Sequence, residues 1–188
     1  EPWCNPAQAG VYVMPAPYEH TSSYILGSDK GPSAIIEASQ QVELYDETLD
    51  SEIYQDWGGV ATAVPLDLKG KVDKDAVEAI EAFVQPHVKP GRLVVTLTGE
   101  HTGALGAIRA QAKQWPDLCV VQIDAHGDLN TPETSPSGNV HGMPLAAALG
   151  LAGDGFSHEG LALPAVDPRR VVLLGVRSLD PAERALVR

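Results

Sequence analysis

Asp124, His126 and Asp128 stand two apart at the end of an apolar run, Leu118 to Ile123. Side chains two apart on an extended chain project to one side, so these three can converge on one centre. A second strand-like run, Arg92 to Leu97, leads into Gly99-Glu100-His101 and offers another imidazole. Two carboxylates and two imidazoles form a mixed oxygen and nitrogen donor set. Such a set suits Mn, Fe, Co or Zn better than Ca or a thiolate-bound metal. The plain alternative is a solvated loop after a strand, and the second histidine at a neighbouring strand end argues against it. His141 stands at the far end of the loop that the metal motif opens, where an imidazole suits a proton shuttle. The glycine-rich stretch Thr98 to Gly106 has neither G-x-G-x-x-G nor P-loop spacing. Its glycines read as a tight turn beside a metal, not as a nucleotide cradle.

The elements that must position these groups follow from pattern. Val11 to Pro15 reads as a strand, followed by a polar loop over 18–30. Gly31-Pro32-Ser33 opens a helix, with Pro in its first turn, and Ile35, Ile36, Val42 and Leu44 supply its apolar face. Residues 61–68 read as a second strand, which Pro65 interrupts. Asp73 is placed to cap a helix in which Val77, Ile80, Phe83, Val84 and Val88 recur at three and four, until Pro86 and Pro90 end it. Strand 92–97, helix 103–114, strand 118–124, helix 141–150 and strand 170–176 follow. Alternating strands and helices with near-continuous apolar strands predict a parallel sheet covered on both faces. His101 and Asp124 then fall at the carboxyl ends of its strands, where ligands of such sheets collect.

At 188 residues the chain fits one domain with a real core. A formal net charge of −12, with no Lys/Arg cluster, excludes nucleic acid and anionic membranes as expected partners. The acidic balance suits a cationic small molecule, although solubility alone accounts for it. The two cysteines, Cys4 and Cys119, do not make a disulfide framework, and Cys119 reads as a small buried hydrophobe. No run approaches the ~18 apolar residues of a membrane helix. The reading is a cytoplasmic protein.

Three linked motifs carry a family resemblance: Gly99-Glu100-His101, Asp124 through Asn130, and Ser137-Gly138-Asn139-Val140-His141-Gly142-Met143-Pro144. In this order they resemble the ureohydrolase family, most closely its arginase branch. Pro17-Tyr18-Glu19 through Ile35 is similar instead to the agmatinase branch. The resemblance implies a three-layer α/β/α fold with a mainly parallel sheet, and two manganese ions bridged by a water-derived hydroxide. It implies that His101, Asp124, His126 and Asp128 are metal ligands, with Asp124 bridging, and that Asp128 and His141 act in catalysis. Asn130, Ser137 and Asn139 match residues that hold the α-carboxylate of arginine, and Asp180 and Glu183 an acidic pair for its α-amino group. Those five favour hydrolysis of L-arginine to urea and ornithine over agmatine.

The resemblance also implies features beyond Arg188: two further metal-binding aspartates in an S-x-D-x-D-x-x-D-P segment and a guanidinium-binding glutamate. Late strands of the family lie between early ones. Residues 1–188 therefore read as a single but incomplete domain with a hole in its sheet, from a trimer or hexamer. Alternative readings are an agmatinase or other guanidino-acid hydrolase, a zinc-dependent deacetylase, and a catalytically incomplete assembly partner.

Overall fold

The computed structural model describes residues 2–153 and 164–187. Its first ladder is parallel and three-stranded, with β1 (Val11–Ala16) between β4 (Val60–Thr62) and β5 (Leu93–Thr98). Six pairs join β1 to β5, from Val11 with Leu93 to Ala16 with Thr98, whereas β4 pairs only with residues 11–13. That shorter pairing accommodates Pro15, which has no amide to donate and lies beyond the end of β4. A small antiparallel pair, β2 (Tyr45–Asp46) and β3 (Ser51–Glu52), lies outside this ladder. A second parallel ladder pairs β6 (Val120–Ile123) with β7 (Val171–Leu174) in register, Val120 with Val171 through Ile123 with Leu174.

The helices are α1 (Gly31–Ala38), α2 (Ile53–Asp56), α3 (Asp73–Val84), α4 (Thr102–Gln114), α5 (Pro144–Ala148) and α6 (Pro181–Leu186). Of the predicted stripe, Val77, Ile80 and Val84 are buried in α3, Phe83 is half-buried, and Val88 is buried just beyond the helix. Pro86, two residues beyond Val84, cannot extend the helix and turns it into one tight turn, Gln85–His87. Helix α4 stops where Trp115 precedes Pro116, because a residue before proline is pushed out of helical geometry; Trp115 is extended at φ −121°. Buried Leu105 and Ala110 lie on α4, and full burial of a side chain such as Ile80 or Leu105 contributes about 1.5–3 kcal/mol. Between α3 and α4, Arg109 Nε lies 2.8 Å from Glu81 Oε2 with both side chains buried, and Lys113 also pairs with Glu81.

Several expectations need correction. Helix α1 ends at Ala38, so Val42 and Leu44 leave its face and are exposed. The strand expected over 61–68 is only three residues long; the chain passes Pro65 held by single bonds to β1, such as Leu66 N to Pro15 O at 3.0 Å. Asp73 does not cap α3: Val72 is the N-cap, and the Asp73 amide instead donates to the Tyr18 hydroxyl at 2.7 Å. The helix expected over 141–150 reduces to α5, since Pro144 fixes its start and Gly150, at φ 74°, its end. Cys119 is exposed.

The sheet is also not covered throughout. Among the described residues no ladder bonds join β5 to β6, and a cavity of about 380 Å³ lined by Val94, Thr96, Thr98, Val120 and Val121 separates them. Alternate residues of the second ladder face outward, Ile123 being 81% exposed. The two ladders are connected through α4, which packs on α3 and on α5.

Candidate metal centre

Both ligand-bearing turns leave the carboxyl ends of their strands. His101 follows β5 and stands immediately before α4. Gly99 permits that turn, since a Cβ there would lie 2.4 Å from the Tyr18 carbonyl and 2.8 Å from the Asp29 amide. Asp124 continues β6, its amide bonded to the Leu174 carbonyl at 3.0 Å, and the Ala125 carbonyl accepts from the amides of Arg177 and Ser178 at 3.0 Å. Asp128 takes left-handed backbone, φ 51°, and its carbonyl accepts from Ala146 of α5 at 3.0 Å. Strand end, left-handed turn and helix start thus fix the loop at both ends.

His101, Asp124 and Asp128 come together, with one potential ligand atom from each lying within 4.8 Å of the others. His101 Nδ1 is 2.6 Å from Asp128 Oδ2 and 3.8 Å from Asp124 Oδ2. The hydrogen bond to Asp128 raises the His101 pKa; burial opposes it, and the charges of Asp128 and Asp124 add to the rise. A cation entering here displaces that proton, so uptake is coupled to pH. His126 is outside the cluster and largely exposed, its Nδ1 3.4 Å from Asp124 Oδ1. Asp124 therefore faces His101 with one oxygen and His126 with the other. The donor chemistry and spacing fit a divalent cation.

The remaining candidates fall into two groups. Asn130 Nδ2 donates to Asp180 Oδ2 at 2.7 Å, while Asp180 Oδ1 caps α6 by accepting from Ala182 and Glu183 amides at 2.9 Å. Those bonds hold the Asp180 carboxyl below the usual aspartate range, the Glu183 amide first among them. Glu183 is buried and completes the cap: its oxygens accept from the amides of Leu129 at 3.2 Å and Asp180 at 3.1 Å. In the second group the Ser137 hydroxyl accepts from the Asn139 amide at 3.2 Å, and Asn139 Nδ2 donates to the Ser23 hydroxyl at 3.2 Å. His141 Nδ1 lies 2.9 Å from Thr21 Oγ1. His141, His101, Glu100 and residues 22–25 line a pocket of about 400 Å³.

Sequence reasoning missed three supporting residues. Gln122, buried in β6, donates to Asp128 Oδ2 at 3.1 Å and lies 3.4 Å from the His126 and Gly127 carbonyls. Its signal was a lone amide inside an apolar strand. Glu100 accepts from the amides of His20 and Thr21 at 2.9 and 2.7 Å. Burial opposes its charge, but the bonds from Thr102, His20 and Thr21 prevail and lower its pKa. Thr21 itself had no signal beyond a polar loop.

The sequence model of the Arginase family matches residues 9–188. The chain belongs to the arginase family. It is 41% identical over 171 residues to arginase from Bacillus caldovelox, covering 86% of this chain and 56% of that protein. With arginase from Brevibacillus brevis the figures are 40% over 169 residues, with 86% and 56% covered. The crystal structure of arginase from Bacillus subtilis superposes with a TM-score of 0.78 at 35% identity, covering 94% of this chain and 59% of that one. The arginase-like α/β fold is thereby shown, and the chain spans a little over half the length of these relatives. Among the described residues, no helix is long and apolar enough to cross a membrane.

Proposed function

We propose that the protein is a binuclear manganese-dependent hydrolase that cleaves the guanidinium group of L-arginine to urea and ornithine. The observation that carries this reading is the convergence of His101, Asp124 and Asp128 from two separate strand ends. His126, on the second oxygen of Asp124, would complete the ligands this chain contributes. When bound, divalent cations lower the pKa of coordinated water from ~15.7 to ~7 and so supply a nucleophile at neutral pH. Guanidinium is a resonance-stabilised, weakly electrophilic cation, and water alone attacks it too slowly.

The side chains then divide the work. Asp128 accepts a hydrogen bond from the attacking water and orients it. His141 carries a proton between the pocket and solvent, so that the amine leaves protonated. Asn130, Ser137 and Asn139 receive the α-carboxylate. Asp180 keeps Oδ2, shared with Asn130, as an acceptor for the α-amino group. Glu183, with both oxygens engaged by amides, supports Asp180 rather than meeting the substrate directly. Assembly into trimers or hexamers belongs to the same reading and is checked by light scattering.

The full-length, Mn2+-loaded protein is expected to release urea from L-arginine, and His126→Ala to lose both metal and turnover. Wild-type metal content and turnover in that variant would overturn the ligand assignment. The similarity of Pro17-Tyr18-Glu19 to the agmatinase branch makes agmatine the competing substrate. Preference for arginine in kcat/KM by about 100-fold or more is expected if the α-carboxylate is recognised. Equal use of both compounds would remove Asn130, Ser137 and Asn139 from that role.

A further inference from the structure

Glu100 and Thr21 stand beside the proposed chemistry without a part in it. Glu100 Oε1 accepts from the Thr102 hydroxyl at 2.5 Å and from the Thr21 hydroxyl at 3.0 Å. Its other oxygen holds the His20 and Thr21 amides. Thr21 is thus fixed at amide and hydroxyl together by one carboxylate. On its other side Thr21 Oγ1 meets His141 Nδ1 at 2.9 Å and accepts the His141 amide at 3.4 Å.

The proton arithmetic has one solution. A carboxylate only accepts, and a hydroxyl carries a single proton. The Thr21 proton is committed to Glu100, so Thr21 offers His141 only lone pairs. Nδ1 must therefore be the donor, and neutral imidazole, with one N–H, is left with a bare Nε2. The Ser23 hydroxyl, 3.5 Å from Nε2, accepts from Asn139 Nδ2, which leaves its own proton free to face that lone pair.

We propose that Glu100, acting through Thr21, fixes His141 as the Nδ1–H tautomer and presents the Nε2 lone pair to the pocket as the proton-accepting atom. Both are positioning residues, and the inference rests on the reading of His141 as the proton carrier. A carboxylate that orders a hydroxyl, which in turn orders an imidazole, follows the logic by which an aspartate sets the tautomer of a catalytic histidine.

Long-range 1H–15N correlation spectra of the metal-free full-length protein, with kinetics on its Mn2+-loaded form, test this. His141 is expected to show a protonated Nδ1 and a bare Nε2. Thr21→Ser keeps the hydroxyl and the tautomer, with kcat near the wild type. Thr21→Val is expected to mix the tautomers and lower kcat about 10²-fold with little change in KM. Glu100→Gln can donate to Thr21, free its hydroxyl proton for Nδ1 and reverse the tautomer. A wild-type spectrum with Nε2 protonated overturns the proposal. So does unchanged kcat in Thr21→Val while His141→Asn is inactive, a result that leaves the proton-carrier reading intact. Wild-type turnover in His141→Asn removes the carrier reading and, with it, the mechanistic part of the proposal.

Discussion

Gln122 anchors the 124–128 loop through one amide, since its Nε2 donates to Asp128 Oδ2 and shares its second hydrogen between the His126 and Gly127 carbonyls, each at 3.4 Å. Replacing it with Leu preserves the bulk and removes the donors. Groups that orient a ligand from behind typically contribute 10- to 100-fold in metal affinity, so Gln122→Leu is expected to weaken Mn2+ binding by about that factor in calorimetric titration. A second residue-scale expectation concerns acid. The Ser22 hydroxyl and the Gly27 amide, the latter at 2.7 Å, hold the Glu19 carboxyl down to about 2, against an ordinary 4.5. A depressed folded value means the loop contacts are fully present above 4.5 and are lost as pH falls toward about 2. The protection of the Gly27 amide from hydrogen exchange, relative to an unstructured amide at the same pH, is expected to fall through that window, and Glu19→Gln to abolish the change. At this scale the residue types marked the candidate ligands, but alternation did not place them: β6 ends at Ile123, Asp128 turns left-handed, and His126 lies outside the cluster that His101, Asp124 and Asp128 form. Gln122 was not legible, because a polar residue in a strand reads equally well as one facing water, and Thr21 meets His141 across 120 residues.

Helices α3 and α4 form the rigid support of the site, since α4 begins at the residue after His101. They touch so closely at Gly106 that a Cβ there would lie 2.7 Å from the Val77 carbonyl and 2.8 Å from Ile80 Cβ. Gly106→Ala is therefore expected to destabilise the protein by about 1–3 kcal/mol, measured by urea unfolding, because overpacking forces the two helices apart. If the helices separate at this point, His101 moves with α4, and metal affinity falls together with stability. Element by element, periodicity located α3 well, its stripe being long and its end set by proline, and the range expected for α4 lies within one residue of the one observed. Periodicity failed at the short elements. β4 and α5 are too brief for a period to register, and Val42 and Leu44 continue a helical rhythm past the point where the helix stops. Asp73 has the residue type of a cap, but the distant Tyr18 hydroxyl claims its amide, a contact that no local pattern encodes.

At the scale of the molecule, the parallel pairing and the strand-end location of the site were legible from the alternation of strands and helices. A hole in the sheet was expected only from the family's strand order, and among the described residues no ladder joins β5 to β6. Outward-facing Val121, Ile123, Val172 and Leu174 were not foreseen, because an apolar strand states that its faces avoid water without stating what covers them. The candidate ligands sit on opposite banks of the interval between those strands, His101 beyond β5 and the two aspartates beyond β6. A cation bound between them would act as a staple across a seam that no backbone ladder closes. Its grip then adds directly to cohesion, by about 2.7 kcal/mol when free ion reaches 100 times Kd. Melting temperature is expected to climb with Mn2+ and drop on chelation, and Asp124→Asn to flatten that response. The seam would thus make the mutual alignment of the two strand groups answer to the ion supply around them.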